Sequence, residues 1–169
     1  MIQYKQVESL SIEPKNLTIR CQSLPELVHL DDPAWSVMRD FRLESPHLIP
    51  PTESIDNALL EMKIQGTHLL LVSDTAGNLR GIISTEDLLG EKPITIIQSR
   101  RIERPQITIE MVMASIDETI CFDVQTIQKT KVGNIVKTLK EHNKHYALVV
   151  QTNEGTQDYQ LIGLFSTSQ

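Results

Sequence analysis

Aromatic residues are scarce in this 169-residue chain, at 4% of the total. That excludes a stacking platform for single-stranded nucleic acid, which needs several exposed rings. Positive charge is scarce too: 16 Lys and Arg stand against 22 Asp and Glu, a formal net charge of -6. A nucleic-acid surface needs the opposite balance, so no such partner is expected. The two cysteines, Cys21 and Cys121, lie far apart and form no C-x-x-C. No zinc or redox motif is visible, and free thiols are expected rather than a disulfide. No apolar run approaches the roughly 18–20 residues of a membrane span. The opening "MIQYKQVESL" has no apolar stretch of a secretion signal. A cytoplasmic protein without a membrane partner is expected. Also missing are G-x-S-x-G, the P-loop, G-x-G-x-x-G and H-E-x-x-H, so no catalytic residue and no metal ligand is assigned.

What the chain does contain is an internal repeat. With His68 placed on His145, "SIDNALLEMKIQGTHLLLVS" (54–73) lies over "KVGNIVKTLKEHNKHYALVV" (131–150). Ile55, Ala58, Leu59 and Met62 fall on Val132, Ile135, Val136 and Leu139, the i, i+3, i+4, i+7 positions of one helix face. Gly66 falls on Asn143, two residue types that tolerate the left-handed conformation, so both helices should stop there. "HLLLV" and "HYALVV" read as buried strands. "SDTAGN" and "QTNEGTQDYQ" read as hairpin turns, and "LRGIIS" and "LIGLFS" as the returning strands. Each half also has a lead-in centred on Val-Met, "WSVMRDF" (35–41) and "IEMVMAS" (109–115). The phrase "GIISTEDLLG" (81–90) returns as "GLFSTSQ" (163–169), where a closing helix has barely begun at Gln169 and is expected to be truncated. One unit cannot bury both faces of a three-stranded sheet, whereas two packed about a pseudo-twofold axis can. The expected fold class is therefore α/β (α+β), with an N-terminal extension at 1–32 and repeat units at 33–92 and 93–169. The extension can add an edge strand or wrap a dimer partner.

The ordered set of these features resembles a tandem pair of CBS motifs, together called a Bateman module. The resemblance rests on residues 49–89 and 131–169 and covers roughly 33–169. It implies a regulatory, non-catalytic module that commonly dimerises and often holds an adenosine-bearing ligand (AMP, ADP, ATP or S-adenosylmethionine) between the two motifs. No cofactor is required. Carried over residue by residue, it implies Ser84, Thr85 and Asp87 for ribose and phosphate. It points more loosely to Ile49, Pro50, His68 and Leu70 for the wall of an adenine slot. A homodimer and an effector protein are the implied partners. The other reading is a docking or dimerisation platform that binds no nucleotide.

The residues themselves allow two readings of the phrase. A fixed carboxylate can accept both hydroxyls of a ribose diol with charge-assisted strength. Ser-x-x-Asp is equally a capping box, present for helix stability alone. Glu86, at the same turn, disfavours a phosphate there. His68 and His145 lack acid or Cys neighbours at ligand spacing and are read as strand-opening residues. Met38 and Met113 are read as core or interface fillers, or as lead-in residues that face a ligand. Arg100, Arg101 and Arg104 read as a solvated linker or as phosphate contacts.

Overall fold

The computed structural model describes residues 27–153, 155 and 158–167. Cys21, most of the N-terminal extension and Gln169 lie outside the described residues, and with them the expectation of a truncated closing helix. The strands in chain order are β1 (Arg39–Asp40), β2 (Leu48–Ile49), β3 (Leu69–Ser73), β4 (Leu79–Ser84), β5 (Ala114–Ser115), β6 (Ile120–Asp123), β7 (Tyr146–Thr152) and β8 (Tyr159–Ser166). The helices are α1 (Ile55–Gln65), α2 (Thr85–Leu89), α3 (Glu91–Arg100), α4 (Ile109–Val112), α5 (Val124–Ile127) and α6 (Val132–Glu141).

The paired helices α1 and α6 form where the repeat places them. Each buries the expected stripe: Ile55, Ala58 and Met62 on α1, and Val132, Ile135 and Leu139 on α6. Ser54 caps α1, its hydroxyl accepting from the Asn57 amide. Both helices then stop at left-handed residues, Gly66 at φ 63° and Asn143 at φ 50°. The chain returns through parallel pairs, β2 with β3 and β6 with β7, and through the antiparallel hairpins β3–β4 and β7–β8.

The sequence predicts three strands per sheet, and each sheet has four, in the orders β2-β3-β4-β5 and β1-β8-β7-β6. The fourth strand comes from the other repeat. β1, from the lead-in to the first unit, pairs antiparallel with β8, while β5, from the lead-in to the second, pairs with β4. The units at 33–92 and 93–169 therefore divide the sequence but not the space, since each lead-in completes the opposite sheet.

Both faces of each sheet are buried. Leu70, Val72 and Ile83 face the helices of the first repeat, and Ala147, Val149 and Phe165 those of the second. The alternate residues Leu71, Ile82, Leu148 and Leu164 form a third core between the sheets. Period-two alternation along β3 and β7 thus splits one apolar run between two cores. This shared core is why two repeats are needed.

Candidate functional site

The repeated phrase begins with glycine because the exchanged strand crosses there. A Cβ on Gly81 would lie 2.3 Å from the Ala114 carbonyl oxygen and 2.9 Å from the Met113 sulfur. On Gly163 it would lie 2.7 Å from the Arg39 carbonyl oxygen and 2.8 Å from the Met38 sulfur. The Val-Met centre of each lead-in thus has a partner: each methionine covers the glycine of the opposite repeat.

The threonine of the phrase is equally structural. Thr85 donates its amide to the His68 carbonyl at 2.9 Å and its hydroxyl to the same oxygen at 3.2 Å. Thr167 does the same to His145, at 2.8 and 3.2 Å. His68 and His145 each precede the first residue of a strand, and their carbonyls tether the end of the neighbouring one. Among the described residues no group of His, Cys, Asp and Glu is placed to hold a metal ion.

Ser84 and Asp87 form a reciprocal capping box at the start of α2. Ser84 Oγ accepts from the Asp87 amide at 3.2 Å. Asp87 Oδ2 accepts from the Ser84 amide at 3.0 Å and from Ser84 Oγ at 2.7 Å. Its second oxygen, Oδ1, accepts from Lys92 Nζ at 2.5 Å, and the Asp87 side chain is only 13% exposed. Lys92 also donates to the Val112 carbonyl at 3.1 Å.

Two cavities lie between the repeats. The smaller, about 180 Å³, is lined by symmetry-related pairs: His68 with His145, Leu69 with Tyr146, Ser84 with Ser166. Thr85 and Glu86 complete it, and His145 Nε2 stands 3.7 Å from Glu86 Oε2. The larger, about 690 Å³, adjoins it at His68, Leu69 and Ser166 and runs beside Leu164 of the second phrase. Met38, Arg39 and Asp40 form one wall, and His47, Thr67, His68 and Leu69 the other. Arg39 Nε bonds Glu44 at 2.6 Å, and Arg42 grips Asp40 at 2.8 and 2.5 Å. The Arg42 guanidinium holds the Asp40 carboxyl below the usual carboxylate range, against a smaller opposing effect of burial.

Of the residues singled out in the sequence, His68, Ser84 and Thr85 come together in the small cavity, and His68 also lines the large one. Ile49 and Leu70 point into the helix-side core. Pro50 is exposed at the turn before α1. Arg101 ends α3 in the left-handed conformation, and Arg104 pairs with Asp56 at 2.9 Å. Met38, singled out in the sequence, lines the large cavity, whereas Arg39 and Asp40 beside it were hidden, because only the strand exchange carries them to the cleft. Leu69 was hidden by its apolar neighbours. The repeated Val-Met was the available signal.

A sequence model of the CBS domain matches residues 34–93. Residues 34–93 are a CBS domain. The described residues have the fold of CBS-pair proteins. CBSX2, a CBS-pair protein from Arabidopsis thaliana solved in complex with AMP, is 20% identical at a TM-score of 0.55, over 80% of this chain and 90% of that one. A conserved protein from Pyrococcus horikoshii is 19% identical at a TM-score of 0.57, over 83% and 90%. The CBS domain of a bacterial CNNM/CorC family Mg²⁺ transporter is 16% identical at 0.54, over 81% and 72%. No curated protein matches the sequence. CBS domains are typically regulatory rather than catalytic modules, and the exchanged lead-ins described above are what join the two motifs of this pair. Among the described residues no helix is long and apolar enough to cross a membrane.

Proposed function

We propose that this CBS pair is a cytoplasmic sensor. It takes an adenosine-type ligand (AMP, ADP, ATP or S-adenosylmethionine) in the cleft beside Ser166 and passes the change to an effector protein. The observation that carries this reading is the cleft itself. At about 690 Å³ it lies within the range of about 300–1,000 Å³ usual for small-molecule sites. Its wall combines apolar Leu69, Leu164 and Met38 with Arg39, Asp40, Glu44, His47 and His68, which can offer a flat base apolar contact and a ribose phosphate both donors and acceptors. The AMP complex of CBSX2 supports the ligand class. Because the two motifs share one core and exchange strands, a ligand wedged between them can favour one relative setting of the sheets, which is what signalling requires.

A second reading is a platform without a ligand. It is favoured by Asp87, whose two carboxylate oxygens are already taken by Ser84 and Lys92. Leu60 and Ile64, one turn apart on α1, and Leu89 on adjoining α2 are more than half exposed and offer a face for a homodimer. A thermal-shift panel of AMP, ADP, ATP and S-adenosylmethionine separates the two. A ligand at a hundred times its Kd should stabilise the fold by about 2.7 kcal/mol. No shift with any of the four at millimolar concentration favours the platform.

A further inference from the structure

The two repeats share one pattern, yet their helices are not covered alike. Around α1 the first core takes in fully buried Leu88 from α2, with Ile96, Ile97 and Ile102 from α3 and the residues after it. Among the described residues, no helix after β8 covers α6 in this way. At the matching place lies an apolar groove of about 280 Å³, lined by Val132, Ile135, Val136 and Leu139 of α6 and by Phe165 and Thr167. In the repeat these match Ile55, Ala58, Leu59, Met62 and Ile83, which share a core with Leu88, and Thr85, which opens its helix. The groove is therefore the second motif's version of the Leu88 seat.

The two ends of the described chain meet at this groove. At one end, Thr167 lines it. Leu88 stands three residues after Thr85, and the same count from Thr167 passes Gln169, so Ser168 and Gln169 stop short of the seat. At the other end, Val28 lines it. The residues just after Val28 are pinned to the start of α6. The Leu30 and Asp32 carbonyls accept from the Gly133 and Val132 amides at 2.8 and 2.9 Å, and Asp31 pairs with Lys131 at 2.8 Å. The chain before Val28 therefore departs from the edge of the groove. It carries "LTIRCQSL" (17–24), with apolar Leu17, Ile19 and Leu24. From Val28 back to Leu24 the chain can span up to about 13 Å. The stretch of α6 from Val132 to Leu139 is about 10 Å long, so Leu24 is within reach of all of it. A segment tethered this close acts at an effective concentration of about a millimolar, which favours it over the same segment of a second copy.

We propose that residues 17–24 dock in this groove of their own chain, with Leu24 taking the part that Leu88 plays in the first motif. Val37 and Ser166 line both the groove and the large cleft, so the docked segment shares a wall with the candidate ligand site. The docking itself requires no ligand.

A disulfide trap in the full-length chain tests it. In Cys121→Ser/Val136→Cys the remaining native thiol is Cys21, within the docking segment. Oxidised glutathione should convert this variant to a monomer with an internal disulfide between positions 21 and 136, identified by mass spectrometry of its tryptic peptides. Such a bond needs Cα atoms within about 7 Å of each other. In the control, Cys121→Ser/Leu60→Cys, the new thiol lies on the exposed face of α1, and no internal disulfide should form. A disulfide-linked dimer of the position-136 variant would give the groove to a second copy and overturn the proposal. No disulfide at position 136, or equal yields at 136 and 60, also overturns it. Leu24→Asp supplies a second readout. Its melting temperature should fall by several degrees, and a melt identical to that of the wild type overturns the docking of Leu24.

Discussion

Met38 sits on Gly163: its sulfur would lie 2.8 Å from a Cβ at that position, so a side chain leading into the first motif fills the space left by a missing one in the second. Gly81 is under the same constraint from Met113. At both positions the nearest atom is a backbone oxygen of the exchanged strand, Ala114 O at 2.3 Å for Gly81 and Arg39 O at 2.7 Å for Gly163. A methionine can shift more readily than a paired strand, and the overlap with the strand is deeper at Gly81. Gly81→Ala should therefore destabilise by about 1–3 kcal/mol, and Gly163→Ala by less. Urea denaturation of the two variants checks the order. Equal losses would mean that the deeper overlap at Gly81 is relieved by a shift of β5.

The helix stops differ in the same way. Asn143 adopts φ 50°, where a Cβ is strained and glycine is not. Asn143→Gly should raise the melting temperature, by a stabilisation of up to about 1 kcal/mol, and Gly66→Ala should lower it by about 1–2 kcal/mol. Thermal melts followed by circular dichroism read both signs.

Asp87→Ala removes the capping box and the Lys92 bridge together. It should cost about 0.5–2 kcal/mol even without ligand. Calorimetry of the ligand-free protein measures it. A variant as stable as the wild type would show that the carboxylate is held there for something other than the helix.

Asp40 sets a pH dependence. Its carboxyl is held below the unfolded value of 3.8 by Arg42. A depressed carboxyl contributes stability that is fully present above the unfolded value and fades as the pH falls through the folded one. The stability difference between wild type and Asp40→Asn should be constant at neutral pH and shrink below about pH 4. Denaturation from pH 7 to pH 2.5 traces it. A difference that grows in acid would reverse the sign.

Arg39 and Arg100 separate cleft from linker. Arg39 lines the large cavity, whereas Arg100 is exposed at the end of α3. Arg39→Ala should weaken AMP by about tenfold or more, the worth of a charge-assisted hydrogen bond, while Arg100→Ala leaves it unchanged. Fluorescence competition or calorimetry reads the ratio. The reverse pattern would move the phosphate to the linker.

The fold was legible because the same apolar stripe, helix stop and hairpin occur twice. Ile55, Ala58 and Met62 and their counterparts Val132, Ile135 and Leu139 carry both period and register, and Gly66 and Asn143 mark the same end. The site was less legible for three physical reasons. The run at 69–72 is apolar on both faces, so nothing in it says that Leu70 enters the core while Leu69 meets the cleft. β1 and β5 are two residues long, too short for a period, and their exchange depends on contacts more than a hundred and about thirty residues away in the chain. Lys92 lies just beyond the recognisable phrase, and only folding brings it to Val112.

The exchange of β1 and β5 also decides what happens if the chain is cut. A break in the segment joining α3 to α4 would yield two fragments, each missing an edge strand that the other carries. Neither should fold alone, and mixed together they should reassemble. The pair is in effect a single cooperative unit written as two, and it should unfold in one transition rather than motif by motif.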